Sequence, residues 1–480
     1  MILKEIEEQK IIEIYEKSMP NDFAGGEIKP LKRILELHRQ EKYFCYGLFD
    51  EEGFDEEEFD GKNFAGKNPV GYCFLVVSKQ RDAVLLDYFA ISPKLRGKGL
   101  GSICLGLLKE EIKRRQFGTL ILEVENPRFG KDEEEKELRR KRIAFYVRNG
   151  MTLTHLRIFL YDVEYLVMTE KSREMFLSAR QIYHTYQVLL KPDKIDTRLR
   201  ISTNIRCFAM DLDRTALGED GRLSIRTKAV ILEALDKGVY IIAASGRAYE
   251  TLPEDITAIN GIEYVISSNG ASVWHKGACI RRNVIGRKAG KALLEVYERA
   301  KQEFSVAMEV FWQGKAFCGK EYFDNPGFFG AHERAVQYVH RTREAVEDVK
   351  EFAMEHIDEL ESIAFVSGDR KGRERLRRKL ASGIEDIFIT SSIEHLIEIA
   401  GRDVSKGESL KWLLRKLHIE PEECMAFGDG DNDAEMLAFA GIGIAVENAS
   451  QLAKKSANFV TKAHFQDGVA IIMEEILQNT

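Results

Sequence analysis

Short apolar runs separated by turns and helix-length amphipathic stretches recur along most of the chain. From about Ile205 onward the order strand, turn, helix repeats. RCFAM, VYIIAAS (Val239–Ser245), YVISS (Tyr264–Ser268) and CMAFGD (Cys424–Asp429) supply the strands. That order predicts a parallel sheet with helices on both faces. Residues 1 to about 170 also alternate between the two patterns and finish on LYDVEYLVM (Leu160–Met168), read as a closing strand. Between these regions the periodicity predicts one amphipathic helix from about Arg173 to Leu190, and then a polar linker that starts at Pro192. The acidic run DEEGFDEEEFDG (Asp50–Gly61) reads as a solvated loop between two strands, because like charges repel and resist packing. The resulting division is 1–170, a helix and linker over 171–204, and 205–480. No internal repeat suggests a solenoid or propeller.

At 480 residues and 44% hydrophobic, the chain exceeds the roughly 250 to 300 residues that one core serves. Two or more domains follow. Charged residues make up 31% and the net charge is −7 with both signs interspersed, so no basic field is present to hold nucleic acid. The start, MILKEIEEQKII, is acidic, and no later stretch reaches the roughly 18 uncharged residues of a membrane helix. A cytoplasmic protein is the expectation. Cys45, Cys73, Cys104, Cys207, Cys279, Cys318 and Cys424 include no C-x-x-C pair, which points to buried reduced thiols rather than zinc or disulfides. Oligomeric state is left open.

In FAMDLDRTALG, Asp211 and Asp213 share a face if the extended backbone continues past the strand. Such a pair alone is more often two solvated loop acids. Three later signals change that reading: AASGR with Ser245 at a strand end, SKGESL with Lys406 opening a helix, and FGDGDNDAEM with Asp429 at another strand end. In open parallel sheets ligands sit at the carboxyl ends of the strands, where these residues fall. Phosphoryl transfer needs a nucleophile, a cation, donors to the phosphoryl oxygens and a proton shuttle. Asp211 is the candidate nucleophile and Asp213 the acid and base. Ser245 and Lys406 are the donors. Asp211, Asp429 and Asp213, the last through a nearby main-chain carbonyl, form the hard oxygen set that suits Mg²⁺.

The order DLDRTAL, ASGR, VSKGESL, FGDGDNDAEML, followed by IAVENA (Ile444–Ala449) and DGVA (Asp467–Ala470), resembles the haloacid dehalogenase superfamily and its Cof-like phosphatases over nearly all of 205–480. The resemblance implies a Rossmannoid parallel-sheet core and a small phosphorylated metabolite as substrate. It also implies an α/β cap inserted at about 282–385 that selects that substrate. The aromatics of FWQGKAFCGKEYF (Phe311–Phe323) read as cap core. Arg214 departs from the glycine usual in that family. Three outcomes stand: the side chain points to solvent or cap, its guanidinium reaches a second anion on the substrate, or catalysis is impaired and a phospho-ligand sensor remains.

Toward the amino terminus, LLDYFAISPKLRGKGLGSICLGLLKEEI runs from a strand (Leu85–Ile91) through Gly97, Gly99 and Gly101 into a helix. Converging main-chain N–H groups and the helix dipole invite an anion, and Arg96 and Lys98 add charge. An ordinary tight turn would look similar. With the strand TLILEVENP (Thr119–Pro127) and the helix RKRIAFYVRNGM (Arg140–Met151), this region resembles the Gcn5-related N-acetyltransferases over about 1–170, a mixed-sheet α/β fold. The resemblance implies acetyl-coenzyme A on Arg96, Gly97, Lys98, Gly99, Leu100 and Gly101, its pantetheine along the strand after Asp87, and Tyr146 as acid to the thiolate. Tyr146 reads equally as a half-buried helix aromatic. Glu123, Glu125 and Asp87 are candidate bases, with Glu123 preferred. The expectation is a bifunctional phosphohydrolase and N-acyltransferase taking acyl-coenzyme A and an amine acceptor. A non-catalytic acyl-coenzyme A-binding regulatory domain is the alternative for the first half.

Overall fold

A computed structural model of the chain describes residues 1–23, 28–50, 68–160, 163–170, 179–190, 199–391 and 395–478. The acidic run beyond Asp50 and residues 191–198 of the expected linker lie outside the described residues. The chain divides into two compact units, Met1–Asn204 and Ile205–Gln478.

The first unit is built on β1 (Ile2–Glu5), β2 (Tyr43–Phe49), β3 (Gly71–Val77), β4 (Ala83–Ile91), β5 (Thr119–Glu125), β6 (Met151–Leu160), β7 (Val163–Glu170) and β8 (Leu199–Thr203). They form one sheet in the order β1-β2-β3-β4-β5-β7-β6-β8. Only the β4–β5 pair is parallel. Alternation along the strands feeds a core on each face. Tyr43, Cys45, Phe74 and Val76 enter one core, and Phe44, Tyr46, Leu75 and Val77 enter the other.

Two irregularities open this sheet. In the β3–β4 ladder Phe74 faces Tyr88 and Leu75 faces Leu86, which leaves Asp87 as a bulge. The β4–β5 ladder ends at Leu86 and Leu122, after which Glu123 and Glu125 stay paired only with β7. The strands part there, and a cavity follows.

The segment expected as helix and linker belongs to this unit's structure. Its helix spans Ala179–Leu189 and buries Ile182, Tyr186, Val188 and Leu189 in the core that holds Tyr43 and Phe74. Beyond it, β8 pairs with β6 from Leu156–Thr203 to Leu160–Leu199 and satisfies main-chain groups an edge strand would leave open. The polar composition of that stretch concealed the strand.

The second unit holds β9 (Cys207–Asp211), β10 (Tyr240–Ala244), β11 (Tyr264–Ser267), β12 (Ser272–His275) and β13 (Ala278–Arg282). A second sheet follows with β14 (Ala307–Trp312), β15 (Lys315–Gly319), β16 (Glu344–Val346), β17 (Leu360–Val366), β18 (Ile387–Thr390) and β19 (Leu396–Gly401), and the chain then returns for β20 (Cys424–Gly428), β21 (Ile442–Val446) and β22 (Phe459–Thr461). The core sheet runs β13-β12-β11-β10-β9-β20-β21-β22, parallel from β11 to β22. The inserted sheet runs β16-β15-β14-β17-β19-β18. Strands β14 to β17 fall in the segment expected as a cap, about 282–385, and the sheet continues past Glu385. Ile399 of β19 pairs with Ile363 of β17, and Ile397 and Ile399 share a core with Leu293, Tyr297 and Phe365. The last hairpin therefore closes this inserted sheet, which runs to Gly401.

Among the described residues no helix is long and apolar enough to cross a membrane. All seven cysteines are free, and only Cys279 is not fully buried.

Candidate functional sites

The central strands β9, β10 and β20 deliver Asp211, Ser245 and Asp429 to one edge of the core sheet, and the helix Lys406–Leu417 points its first residue at them. Lys406 is 1% exposed. Its Nζ donates to Asp211 Oδ1 at 2.6 Å and to Asp433 Oδ1 at 2.7 Å. Asp433 Oδ2 accepts from the main-chain N–H groups of Asp429 and Gly430 at 2.9 and 2.8 Å. Gly428 makes that turn possible, since a β-carbon there would stand 2.5 Å from the Asp433 side chain. Asp433 was not singled out in the sequence, yet it braces both the lysine and the Asp429 loop.

Asp211, Asp429 and Asp433 each offer an oxygen within 4.8 Å of the others. Asp211 Oδ2 is buried and has no hydrogen-bond partner among the described residues. Burial, repulsion from Asp433 and the opposing pull of Lys406 leave the Asp211 carboxyl pushed up to about 7. Asp429 is pushed up to about 8 by burial, then by Asp211 and Asp433, against the pull of Arg214 and Lys406. Burial disfavours the Lys406 charge, but Asp211 and Asp433 more than restore it, so its value lies above that of an ordinary lysine. Three carboxylates around one ammonium leave an unmet demand for positive charge in an all-oxygen setting. That is the donor chemistry a hard divalent cation requires, so the residues present fit Mg²⁺.

Asp213 does not join this cluster through its side chain. Its carboxylate takes a two-pronged bond from Arg247, at 2.7 Å from Nε and 2.5 Å from Nη2. Arg247 in turn lies under the cap residue Tyr338, with 4.8 Å from guanidinium carbon to ring centre. Ser245 is buried and its Oγ accepts from the Arg247 N–H at 3.1 Å. Arg214 takes the left-handed backbone conformation, φ 61° and ψ 13°, that its place in the turn demands. Its carbonyl accepts from Asn448 at 2.9 Å, and its half-exposed side chain brings Nε to 3.7 Å from Asp429 Oδ2.

In the first unit the diverging strands border a cavity of about 1370 Å³. Arg96, Gly97, Gly99, Leu100 and Gly101 line it, whereas Lys98 is exposed and does not. Gly97 and Gly99 hold φ of 80° and 81°, and among the described residues no atom beyond their chain neighbours lies within 4 Å of where their β-carbons would be. Open space therefore faces the start of the helix Leu100–Arg114, as a main-chain anion cradle needs. Arg96 is held by the Ile91 carbonyl at 3.0 Å and by Asp22 at 2.7 Å.

The three candidate bases are in different states. Asp87 is bound to Lys29 at 2.6 Å and to the Tyr43 hydroxyl at 2.5 Å. Glu125 is bound to Arg139 at 3.0 Å and Arg142 at 3.1 Å. Glu123 Oε1 is shielded from solvent and has no hydrogen-bond partner among the described residues. Burial first, with Asp87 adding and Lys29 opposing, leaves the Glu123 carboxyl pushed up to about 8. Tyr146 lines the same cavity, its hydroxyl pushed up to about 12 by burial against the pull of Arg142.

Residues 208–473, more than half of the chain, match the model of the haloacid dehalogenase-like hydrolases, and the chain belongs to that family. Residues 11–131 match the acetyltransferase (GNAT) family. Over the hydrolase part the chain is 27% identical to the 5-amino-6-(5-phospho-D-ribitylamino)uracil phosphatase YwtE of Bacillus subtilis, covering 57% of this chain and 98% of that protein. It is 28% identical to Phosphatase YwpJ of the same organism, covering 57% of this chain and all of the relative. A solved haloacid dehalogenase-like hydrolase from B. subtilis aligns with a TM-score of 0.49 at 27% identity, over 56% of this chain and 99% of its own. The second unit is thus an enzyme of phosphatase type, and a GNAT acetyltransferase domain precedes it.

Proposed function

We propose that the chain is a bifunctional cytoplasmic enzyme, a Mg²⁺-dependent phosphohydrolase of a small phosphorylated metabolite joined to an acetyl-coenzyme A-dependent N-acyltransferase. The observation that carries the first half is Asp211 Oδ2, an unpartnered oxygen at the buried centre of the site, beside an ammonium that fixes its sister oxygen. That oxygen attacks phosphorus while the ester P–O bond breaks, and Asp213 gives its proton to the departing alkoxide. Asp213 then takes a proton from water, which attacks the aspartyl phosphate and frees Asp211. Lys406 and Ser245 hold the phosphoryl oxygens, and Arg247 keeps Asp213 in place. Asp211, Asp429 and the carbonyl of Asp213 would hold Mg²⁺, which supplies charge to the phosphoryl group.

The named activity of YwtE makes 5-amino-6-(5-phospho-D-ribitylamino)uracil, a phosphate ester, a substrate to try first. The test is Mg²⁺-dependent phosphate release from an aryl phosphate, compared with Asp211→Asn. A flat result from both proteins would favour the phospho-ligand sensor.

In the transferase half the amine nitrogen attacks the thioester carbon, the C–S bond breaks, Glu123 accepts the amine proton and Tyr146 protonates the thiolate. Glu123 is favoured because Asp87 and Glu125 are already engaged by cations. Release of free thiol from acetyl-coenzyme A in the presence of amines tests it, and its absence with every amine would favour a binding-only domain.

A further inference from the structure

Part of the cavity wall comes from outside the matched acetyltransferase region. Tyr186 and Leu189 of the helix Ala179–Leu189, with Leu190 beyond it, line the cavity together with Leu160, Val163 and Tyr165 of the β6–β7 hairpin. This wall is apolar and aromatic apart from the hydroxyls of Tyr165 and Tyr186. Tyr186 is 2% exposed and its hydroxyl has no hydrogen-bond partner among the described residues. Glu123 Oε1, in the wall of the same cavity, is also unpartnered. A buried polar group left unsatisfied costs about 1–3 kcal/mol. A molecule that fills the cavity and bonds both groups removes that cost.

The charges beside Glu123 narrow the choice. Asp87 is matched by Lys29, which leaves the Glu123 carboxyl as the acid to be met by a cation. The other acids of the lining are paired too, Glu125 with Arg139 and Arg142 and Asp22 with Arg96, so the further charges of a polyamine would be desolvated without a partner, which is strongly unfavourable.

We propose that the acyl acceptor is a primary amine on an apolar body of aromatic size that carries one polar substituent. Glu123 receives the amine, and the Tyr186 hydroxyl bonds the substituent. Tyr186 is thereby a specificity-determining residue supplied by the segment that follows the family's matched region. The inference rests on the transferase reading of the first unit.

The test is thiol release from acetyl-coenzyme A by the full chain with tyramine, phenethylamine, spermidine and a peptide bearing a free amino terminus. Tyramine is expected to exceed spermidine and the peptide at least about tenfold in kcat/KM. Tyr186→Phe, which keeps the ring, should raise KM for tyramine about five- to tenfold while phenethylamine and acetyl-coenzyme A are unaffected. Preference for spermidine or the peptide would overturn the acceptor class and leave the transferase reading standing. Thiol release with none of the amines would overturn both. An unchanged KM for tyramine in Tyr186→Phe would overturn the role given to that hydroxyl.

Discussion

The two sites solve the placement of charge in opposite ways. In the hydrolase site acids from β9 and the β20 loop surround one buried lysine, and the fold itself leaves negative charge in excess. In the acetyltransferase cavity most charges are already matched within the protein, Asp87 by Lys29, Glu125 by Arg139 and Arg142, and Asp22 by Arg96. The working groups left over there are a carboxyl and two phenols. A site built for a phosphoryl dianion and a metal must store charge that only its ligands complete. A site built for a thioester can stay nearly neutral and rely on main-chain N–H groups and single proton donors.

Substitution at Asp211, the proposed nucleophile, should separate the two sites most widely. Asp211→Asn is expected to lower phosphate release by about 10⁴-fold or more, with thiol release from acetyl-coenzyme A unchanged. Parallel loss of both activities would break the comparison. At the other site Glu123→Gln should lower acetyl transfer by about 10²- to 10⁴-fold. Its pH profile sharpens the point. A base with its pKa near 8 works only when ionised, so kcat/KM should fall about tenfold per unit as pH drops below about 8, level off above it, and lose this limb in Glu123→Gln.

Lys406→Met probes charge storage directly. Removing the ammonium leaves Asp211 and Asp433 buried without their partner, and a broken buried pair costs about 3–5 kcal/mol. Urea unfolding in the absence of divalent metal should show a loss of that size. A loss below about 1 kcal/mol would mean that water, and not the lysine, satisfies these acids.

The contrast also explains what could be read from sequence. Asp211, Ser245, Lys406 and Asp429 were legible because each ends a strand or opens a helix, and local pattern marks such places. Asp433 stood in the same quoted motif, but its task depends on a turn that only the folded Asp429 loop creates. Arg247 likewise gained meaning once it was seen to bind Asp213, 34 positions away. The last strand of the inserted sheet was hidden because β19 pairs with a strand that ends 30 positions earlier, at Val366. Tyr186 had no local signature, since an amphipathic helix reads the same whether it lines a cavity or covers a core.

The smallest expected effect belongs to Arg214, the family departure in the nucleophile turn. Its φ of 61° places a side chain in the left-handed region, at a cost of about 1–2 kcal/mol relative to glycine. Arg214→Gly removes that strain but gives the unfolded chain more freedom, which returns about 0.4–1 kcal/mol. The Asp429 contact, at 3.7 Å with the arginine 54% exposed, is too solvated to weigh much. A net stabilisation of about 0.5 kcal/mol is therefore expected in denaturant unfolding. Phosphate release from an aryl phosphate, which carries no second anion, should stay within about threefold. If that activity instead fell a hundredfold, Arg214 would have to act on the reacting phosphoryl group itself. The hydrolase site would then hold a second working cation of its own beside Lys406, and the contrast between the two sites would narrow.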